Sequence, residues 1–242
     1  MGKFFFRPHE REGQYVKIGG SAAHHMLNVL RFRVGQDIVL CDGECTDYHA
    51  RLDSIVANPA TITFILLSST PSKSETPMPL TLYQGIPKGD KMEWIIEKCI
   101  EAGVSKIIPV YTARTVVASG SAAKKTERYT RIAESAAAQS MRGIVPIVTA
   151  PCGFADAIAD CNEHDLLLVA YEKEKDRSIR TALEGLPPQP ISLWVGPEGG
   201  FEEAEITALV EKKAQTVSLG PRILRAETAG LVALAQINCI WE

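Results

Sequence analysis

From residue 80 to the carboxyl terminus, the sequence alternates short apolar runs with stretches of helical periodicity, and this alternation restricts the fold more than any other feature. Six apolar runs have the length and composition of buried strands. They are "LTLYQGI", "KIIPVY", "PIVTAP", "DLLLVAYE", "ISLWVG" and "TVSLG". A stretch with apolar residues at helical spacing follows each run. Strands that alternate with helices form mostly parallel sheets with helices on both faces, so the pattern predicts an α/β domain.

The amino-terminal part follows a different pattern. Residues 4–67 contain short alternating or apolar runs separated by turn signals, among them Asp42 and Gly43, a pair that suits a tight hairpin turn. This pattern predicts a small antiparallel β-barrel. One helical stretch interrupts it, with Ser21 as the expected N-cap and Gly35 as the expected terminator. We expect this short helix to close one end of the barrel.

A segment rich in Ser, Thr and Pro, residues 68–79, separates the two patterns. Such a composition is typical of a linker. We therefore predict a barrel domain at residues 1–72 and an α/β domain at residues 73–242.

Charge and apolar runs argue against several classes of protein. The formal net charge of −3 does not indicate a polycation that binds nucleic acid through its overall charge, although a local basic face is compatible with it. The amino terminus has only three consecutive apolar residues before charged residues begin, too few for a signal peptide. No segment approaches the roughly 20 apolar residues that span a bilayer. We expect a cytoplasmic protein without a membrane partner.

Cysteine and histidine residues do not form a pattern typical of metal sites. The six cysteines include no CxxC pair, and no second Cys/His pair at ligand spacing accompanies Cys41 and Cys45. The adjacent His24 and His25 have no acidic or histidine partners at ligand spacing. We expect reduced thiols and no metal.

Two loops with Gly-Pro sequences follow the last two predicted strands. One, "GPEGG", begins at Gly196, and the other, "GPRIL", begins at Gly220. Open α/β sheets bind ligands beyond the carboxyl ends of their strands. Neither loop matches the GxGxxG fingerprint or the phosphate-binding P-loop. Glycine allows close approach of the backbone, and apolar side chains can sandwich a ring, so the loops suit an adenosine. Turns without a ligand are the alternative, but two similar loops favour a site.

Five segments occur in the same order as in a known enzyme family. They are "HHMLNVLR", "KGDKMEWIIEKCIEAGV", "AAAQSMR" followed by Pro146, "WVGPEGGF" and "LGPRILRAETA". Over nearly its whole length the chain resembles the ribosomal small-subunit RNA uridine N3-methyltransferases, the RsmE family of the SPOUT class. This resemblance implies a small PUA-like or OB-like β-barrel followed by a SPOUT α/β domain with a carboxyl-terminal trefoil knot. It also implies a homodimer, S-adenosylmethionine as the methyl donor, and 16S ribosomal RNA in the small subunit as the substrate.

The resemblance also implies a donor pocket formed by the ends of three strands. The expected donor contacts are Ala170, Tyr171, Gly196, Pro197, Glu198, Gly199, Gly200, Leu219, Gly220, Ile223 and Leu224. Glu198 is expected to bind the donor's amino group or ribose. A carboxylate that only stabilises the start of the next helix is the alternative role for this residue.

Arg225, Glu198 and Thr228 are the expected catalytic residues, and Arg225 is expected to act on the target base. A guanidinium beside the target base can stabilise the negative charge that develops on uracil as N3 loses its proton. A salt bridge to Glu227 or Glu198 is the alternative. We expect Thr228, with Glu227, to cap the last helix and position Arg225. No residue of the sequence stands out as a general base.

Basic residues in the matched segments are candidates for RNA contacts, and residues 114–142 are rich in them. The expected contacts are Arg7, Arg31, Arg114 and Arg142. Two other functions remain open: a SPOUT methyltransferase that acts on a base or ribose of transfer RNA, and a non-catalytic ribosome-assembly protein that binds RNA. A nucleotide-dependent oxidoreductase on a doubly wound sheet is disfavoured because GxGxxG is absent.

Overall fold

The computed structural model describes residues 3–116, 122–162 and 164–241 and contains two units. The first unit comprises the chain up to Glu75 together with Ala137–Val145. The second comprises Thr76–Ala136 together with residues 146–242. The predicted division after residue 72 stays a prediction, and composition gave no sign that residues 137–145 belong with the amino-terminal part.

The first unit contains a six-stranded sheet in the order β1-β4-β5-β6-β3-β2. Its strands are Phe4–Phe5 (β1), Arg11–Glu12 (β2), Tyr15–Gly19 (β3), Asp37–Cys41 (β4), Thr46–Ala57 (β5) and Ala60–Pro71 (β6). Four pairings are antiparallel, but β1 pairs with β4 in parallel. Within the described part of the chain β1 does not pair with β2, so the six strands form a half-barrel, and its one parallel pairing is the departure from the antiparallel barrel predicted.

A helix, α1, covers Gly20–Asn28, and a short 3-10 helix covers Pro8–Glu10. The predicted helix is therefore confirmed, but both of its predicted ends are wrong. Its N-cap is Gly19, not Ser21, and it ends well before Gly35. The chain leaves the helix because Arg31 has a left-handed φ of 56°.

The turn at Gly43 is confirmed, since Gly43 has a φ of 77° and joins the antiparallel strands β4 and β5. The start of the predicted linker is wrong, because residues 68–71 continue β6 and pair with β5. The opposite neighbour, β3, pairs only with residues 61–65 of β6. The last residues of β6 thus form a sheet edge, where Pro71 is tolerated.

The second unit contains a parallel sheet of seven strands in the order β10-β8-β7-β12-β11-β13, with β9 beside β8. Its strands are Leu80–Gly85 (β7), Lys106–Tyr111 (β8), Ile147–Val148 (β9), Cys152–Gly153 (β10), Leu166–Ala170 (β11), Ile191–Val195 (β12) and Gln215–Val217 (β13). All six predicted strands are present, which confirms the parallel α/β sheet. Strand β10 is additional.

Five helices lie between these strands, and a sixth follows β13. They are Lys91–Glu101 (α2), Ala122–Gln139 (α3), Phe154–Ala159 (α4), Ile179–Leu183 (α5), Glu203–Glu211 (α6) and Ala226–Trp241 (α7). In the second unit β12 is buried along its whole length, and the ring of Trp194 stacks on Tyr83 of β7 at 4.3 Å. None of the described helices is long and apolar enough to cross a membrane.

Strand order determines which loops can meet. Strand β12 lies between β7 and β11, and β13 lies on the other side of β11. The carboxyl ends of β11, β12 and β13 are therefore neighbours at one edge of the sheet, where α/β folds place their ligands.

Candidate active site

The loops that follow β11, β12 and β13 surround one cavity of about 510 Å³ in the second unit. All eleven residues expected to contact a donor line this cavity. The three strand ends thus meet at one cavity, and the ligand contacts of the individual residues remain predictions. Arg225, Glu227 and Lys91 also line the cavity.

Close backbone contacts fix the loop after β12. A methyl group on Gly85, at the end of β7, would lie 2.5 Å from Cδ of Pro197. A methyl group on Gly196 would lie 3.0 Å from the backbone of Gly200, which itself has a φ of 68°. Any residue with a Cβ would displace this loop, so its glycines are required by packing as well as by conformation.

The carboxylate of Glu198 is held inside this loop by the start of α2. Its two oxygens accept the backbone N–H of Lys88 at 3.2 Å, and Oε1 lies 2.9 Å from Nζ of Lys91. Burial acts to raise the pKa of Glu198, but the hydrogen bonds from Lys91 and Lys88 outweigh it, and the pKa lies below its ordinary value. Glu198 is therefore an ionised group of the cavity wall.

Lys91 also approaches a second carboxylate. Its Nζ lies 3.3 Å from Oε2 of Glu227, in the first turn of α7. The hydrogen bond to Glu198, together with the nearby negative charge of Glu227, raises the pKa of Lys91. Sequence reasoning missed this residue, although "KGDKMEW" is one of the segments that carry the family resemblance. The segment was interpreted only as a helix, because periodicity gives no information about contacts between distant loops.

Arg225 lies at the rim of the cavity with 84% of its side chain exposed. Its Nη1 is 3.9 Å from Oε1 of Glu227, a loose ion pair. The backbone N–H groups of Thr228 and Ala229 both donate to the carbonyl of Arg225 at 3.0 Å. Thr228 does not line the cavity. Its observed contact with Arg225 is through the main chain, at the start of α7.

A carboxylate that sequence reasoning missed holds the loop after β11. Glu174 accepts hydrogen bonds from the hydroxyl of Thr216 at 2.6 Å and from the N–H groups of Asp176 and Arg177 at 2.9 and 3.1 Å. These hydrogen bonds lower the pKa of Glu174 to about 2. Because Thr216 belongs to β13, Glu174 fastens the loop after β11 to the neighbouring strand β13.

The four arginines predicted to bind RNA lie in different environments. Arg7 and Arg31 are exposed in the first unit. Arg114, in the second unit, donates from Nη1 to the carbonyl of Gly199 and so supports the "GPEGG" loop.

Arg142 contradicts the prediction that it contacts RNA. Its side chain is only 2% exposed, and its guanidinium pairs with Glu75 at 2.5 Å. The same carboxylate accepts the N–H groups of Gly143 and Ile144. A guanidinium that is buried and paired in this way is not available to a phosphate. Its role is to hold residues 137–145 in the first unit.

The described cysteines are all free, and within residues 3–116, 122–162 and 164–241 no group of three His, Cys, Asp or Glu side chains is arranged to hold a metal. The cavity is lined by backbone, apolar side chains and charged groups, and four of the charged groups lie at its α2 and α7 side. The four are Lys91, Glu198, Arg225 and Glu227.

Comparisons with known proteins agree with this architecture. A family model described as "RNA methyltransferase domain" matches residues 74–238, and one described as "RNA methyltransferase PUA domain" matches residues 18–65. Ribosomal RNA small subunit methyltransferase E of Bacillus subtilis is 38% identical, with 94% of this chain and 91% of the relative covered. The protein of the same name from Synechocystis is 36% identical, with 94% of this chain and 74% of the relative covered.

A solved structure gives the same result. Ribosomal RNA small subunit methyltransferase E from Neisseria gonorrhoeae, bound to S-adenosyl methionine, aligns with a TM-score of 0.88 at 33% identity. The alignment covers 100% of this chain and 98% of that one. The family model covers well over half of the chain, and the 38% identical Bacillus subtilis relative is covered over 91% of its length. The chain therefore belongs to the RNA methyltransferase family, in the group of the ribosomal RNA small subunit methyltransferases E.

Proposed function

We propose that this protein transfers a methyl group from S-adenosylmethionine to N3 of a uridine in 16S ribosomal RNA of the small subunit. One observation carries the proposal: the three loops after β11, β12 and β13 form a single cavity lined by all eleven residues of the expected donor pocket. The Neisseria gonorrhoeae relative, which has the same fold, was solved with S-adenosyl methionine bound.

The cavity residues fit this donor. A volume of about 510 Å³ lies in the range typical of small-molecule sites. Backbone groups of residues 196–200 can pair with the adenine edge, and Leu219 and Leu224 offer apolar contacts to its faces. The ionised Glu198 suits a hydroxyl or ammonium group. When bound, the donor supplies an electrophilic methyl group on its sulfonium.

Arg225 is the residue that we assign to the transfer step. The Watson–Crick edge of the uridine must be unpaired before N3 can be methylated. An exposed guanidinium at the cavity rim can meet a base that enters from solvent and stabilise the negative charge left when N3 loses its proton.

Two of the carboxylates that line the cavity, Glu198 and Glu174, are poor general bases. Glu198 is engaged by Lys91 and Lys88, and the pKa of Glu174 lies at about 2. Carboxylates stabilised so strongly in their ionised form are weak proton acceptors. We therefore propose that solvent or the RNA itself takes the N3 proton.

RNA binding, assembly and location complete the proposal. We assign RNA binding to residues 1–72, with Arg7 and Arg31 as contacts, and methyl transfer to residues 73–242. We also propose a trefoil knot in the cavity loops, a homodimer, and action in the cytoplasm, where ribosomal RNA is modified. Helix α7 supports a dimer, because its sides outside the core carry Leu231, Val232 and Ile240, all half-buried.

The test is transfer of a labelled methyl group to purified small ribosomal subunits from cells that lack the enzyme, followed by mass spectrometry of the nucleosides. Appearance of 3-methyluridine confirms donor, acceptor atom and RNA class together. A different methylated nucleoside would overturn the target while keeping the donor. Binding of the donor without transfer would point to another RNA or to a non-catalytic role.

A further inference from the structure

We propose that Lys91 is a positioning residue that keeps Arg225 available to the RNA by neutralising Glu227. The inference rests on the proposed function of the cavity. It concerns the charged side of the cavity, where one ammonium group lies between two carboxylates that come from different parts of the chain. Lys91 is the first residue of α2, Glu198 lies in the loop after β12, and Glu227 lies in the first turn of α7.

The distances show how closely each cation approaches the two carboxylates. Lys91 Nζ lies 2.9 Å from Oε1 of Glu198 and 3.3 Å from Oε2 of Glu227. Arg225 approaches the other oxygen of Glu227, but only to 3.9 Å. Glu227 is thus placed between two cations, with the lysine close and the arginine distant.

Because the carboxylate of Glu227 is largely buried, it needs Lys91 as a counter-ion. The side chain of Glu227 is 17% exposed, and its Oε2 is buried without a hydrogen-bond partner among the described residues. A carboxylate in this position needs a nearby cation, since removal of one member of a buried ion pair leaves an uncompensated charge. Lys91 meets this need with a contact that has the geometry of an ion pair.

Without Lys91, Arg225 is the cation that can replace it. Its side chain is 84% exposed and long enough to close the distance of 3.9 Å to Glu227. A guanidinium forms bidentate pairs with carboxylates readily. In that arrangement Arg225 is drawn from the rim towards α7, away from an incoming base. Lys91 therefore acts on the reaction through Arg225.

The experiment compares K91M, which keeps the length of the side chain and removes its charge, with the double variant K91M/E227Q. We expect kcat of K91M to fall by roughly tenfold or more at saturating donor, since an interaction that serves the transition state has been lost. The double variant is expected to regain most of this loss, because the neutral amide that E227Q introduces no longer holds Arg225. An unchanged kcat in K91M, or a loss that E227Q does not relieve, would overturn the proposal.

The chain offers a matched control on the same helix. Lys98 of α2 also bridges two carboxylates, Glu97 at 2.7 Å and Glu101 at 2.8 Å, but it does not line the cavity. K98M removes a lysine between two glutamates without touching the site. We expect its kcat to equal that of the wild type, and an equal loss in K98M and K91M would show an effect of helix stability alone.

A second readout does not depend on methyl transfer. Phenylglyoxal modifies accessible arginines, and mass spectrometry of the ligand-free protein gives the rate at Arg225, with Arg222 of the same loop as internal reference. We expect slower modification of Arg225 in K91M and recovery in K91M/E227Q. If the wild type transfers no methyl group but this pattern is found, the proposed function fails and the positioning stands. Equal rates in all three proteins would overturn the positioning.

Discussion

Arg142 of the first unit and Arg225 of the second hold their guanidinium groups in opposite environments. Arg142 is 2% exposed and lies 2.5 Å from Glu75, whereas Arg225 is 84% exposed and lies 3.9 Å from Glu227. Both belong to segments that resemble the same enzyme family. Arg142 holds residues 137–145 in the first unit, whereas Arg225 is available to a ligand. Burial and pairing, not membership of a motif, separate the structural role from the chemical one.

The largest expected effect is that of replacing Arg142, the buried arginine of this pair. We expect R142M to lower the free energy of unfolding by about 3–5 kcal/mol, because Glu75 is left as a poorly exposed and unpaired carboxylate. Urea denaturation followed by circular dichroism measures this difference. The double variant E75Q/R142M removes the stranded charge and is expected to recover part of the loss. A stable R142M protein with much weaker RNA binding would show that Arg142 contacts RNA after all.

Replacement of Arg225, the exposed arginine of this pair, is expected to lower activity and to leave stability unchanged. We expect R225A to lower kcat by about 10²–10³, the usual effect of removing a group that stabilises developing negative charge. Donor affinity, measured by calorimetry, and the free energy of unfolding are expected to stay close to those of the wild type. R131A is the control, since Arg131 is 75% exposed and pairs with Glu127 on α3, and its kcat is expected to be unchanged. Wild-type activity in R225A would remove Arg225 from the mechanism.

A third prediction concerns the close packing of Gly85 against the cavity loop that follows β12. In G85A the new methyl group would lie 2.5 Å from Pro197, so the loop after β12 must move. We expect a loss of about 1–3 kcal/mol in stability, as for other overpacked positions, together with weaker donor binding. Calorimetry with S-adenosylmethionine measures the second effect.

The control for this prediction is G19A in the first unit. A methyl group on Gly19 would lie 3.9 Å from the carbonyl of Ala60, an ordinary van der Waals contact. We expect G19A to bind the donor like the wild type. Equal donor affinity in G85A and wild type would mean that the loop tolerates displacement and that its glycines serve only the turn.

The order of strands and helices was predictable because it depends on local periodicity. The runs that became β7, β8, β11 and β12 are mostly apolar and largely buried, as expected for strands covered on both faces of a parallel sheet. The meeting of the two Gly-Pro loops at one site followed from the general position of ligand sites at strand ends, and the third strand end, at Ala170 and Tyr171, followed from the family resemblance. These parts of the fold and the site are encoded within short stretches of sequence.

Features that depend on contacts between distant residues were not predictable in this way. Lys91 and Glu198 are far apart in the sequence, and nothing in either segment indicates that they meet. Arg142 carries the same charge as an arginine that binds RNA, and only its contact with Glu75 reveals a structural role. The extension of β6 through residues 68–71 depends on pairing with β5, whereas local composition favoured a linker.

The smallest expected effect concerns Glu174. Its environment is intermediate between those of Arg142 and Arg225, because the carboxylate is half-buried and is held by hydrogen bonds rather than by an ion of opposite charge. In E174Q the link from the loop after β11 to Thr216 is weakened, and we expect donor affinity to fall on the order of threefold. The folded pKa of about 2 lies below the usual 4.5, so the stabilisation is complete above about pH 5 and is lost as pH falls towards 2. Urea unfolding of E174Q and wild type between pH 7 and pH 2 measures this: the difference in stability is expected to vanish at the acid end. A difference that stays constant over this range would show that the carboxylate is not held ionised, and the backbone hydrogen bond from Tyr171 to Val217 would then hold the loop.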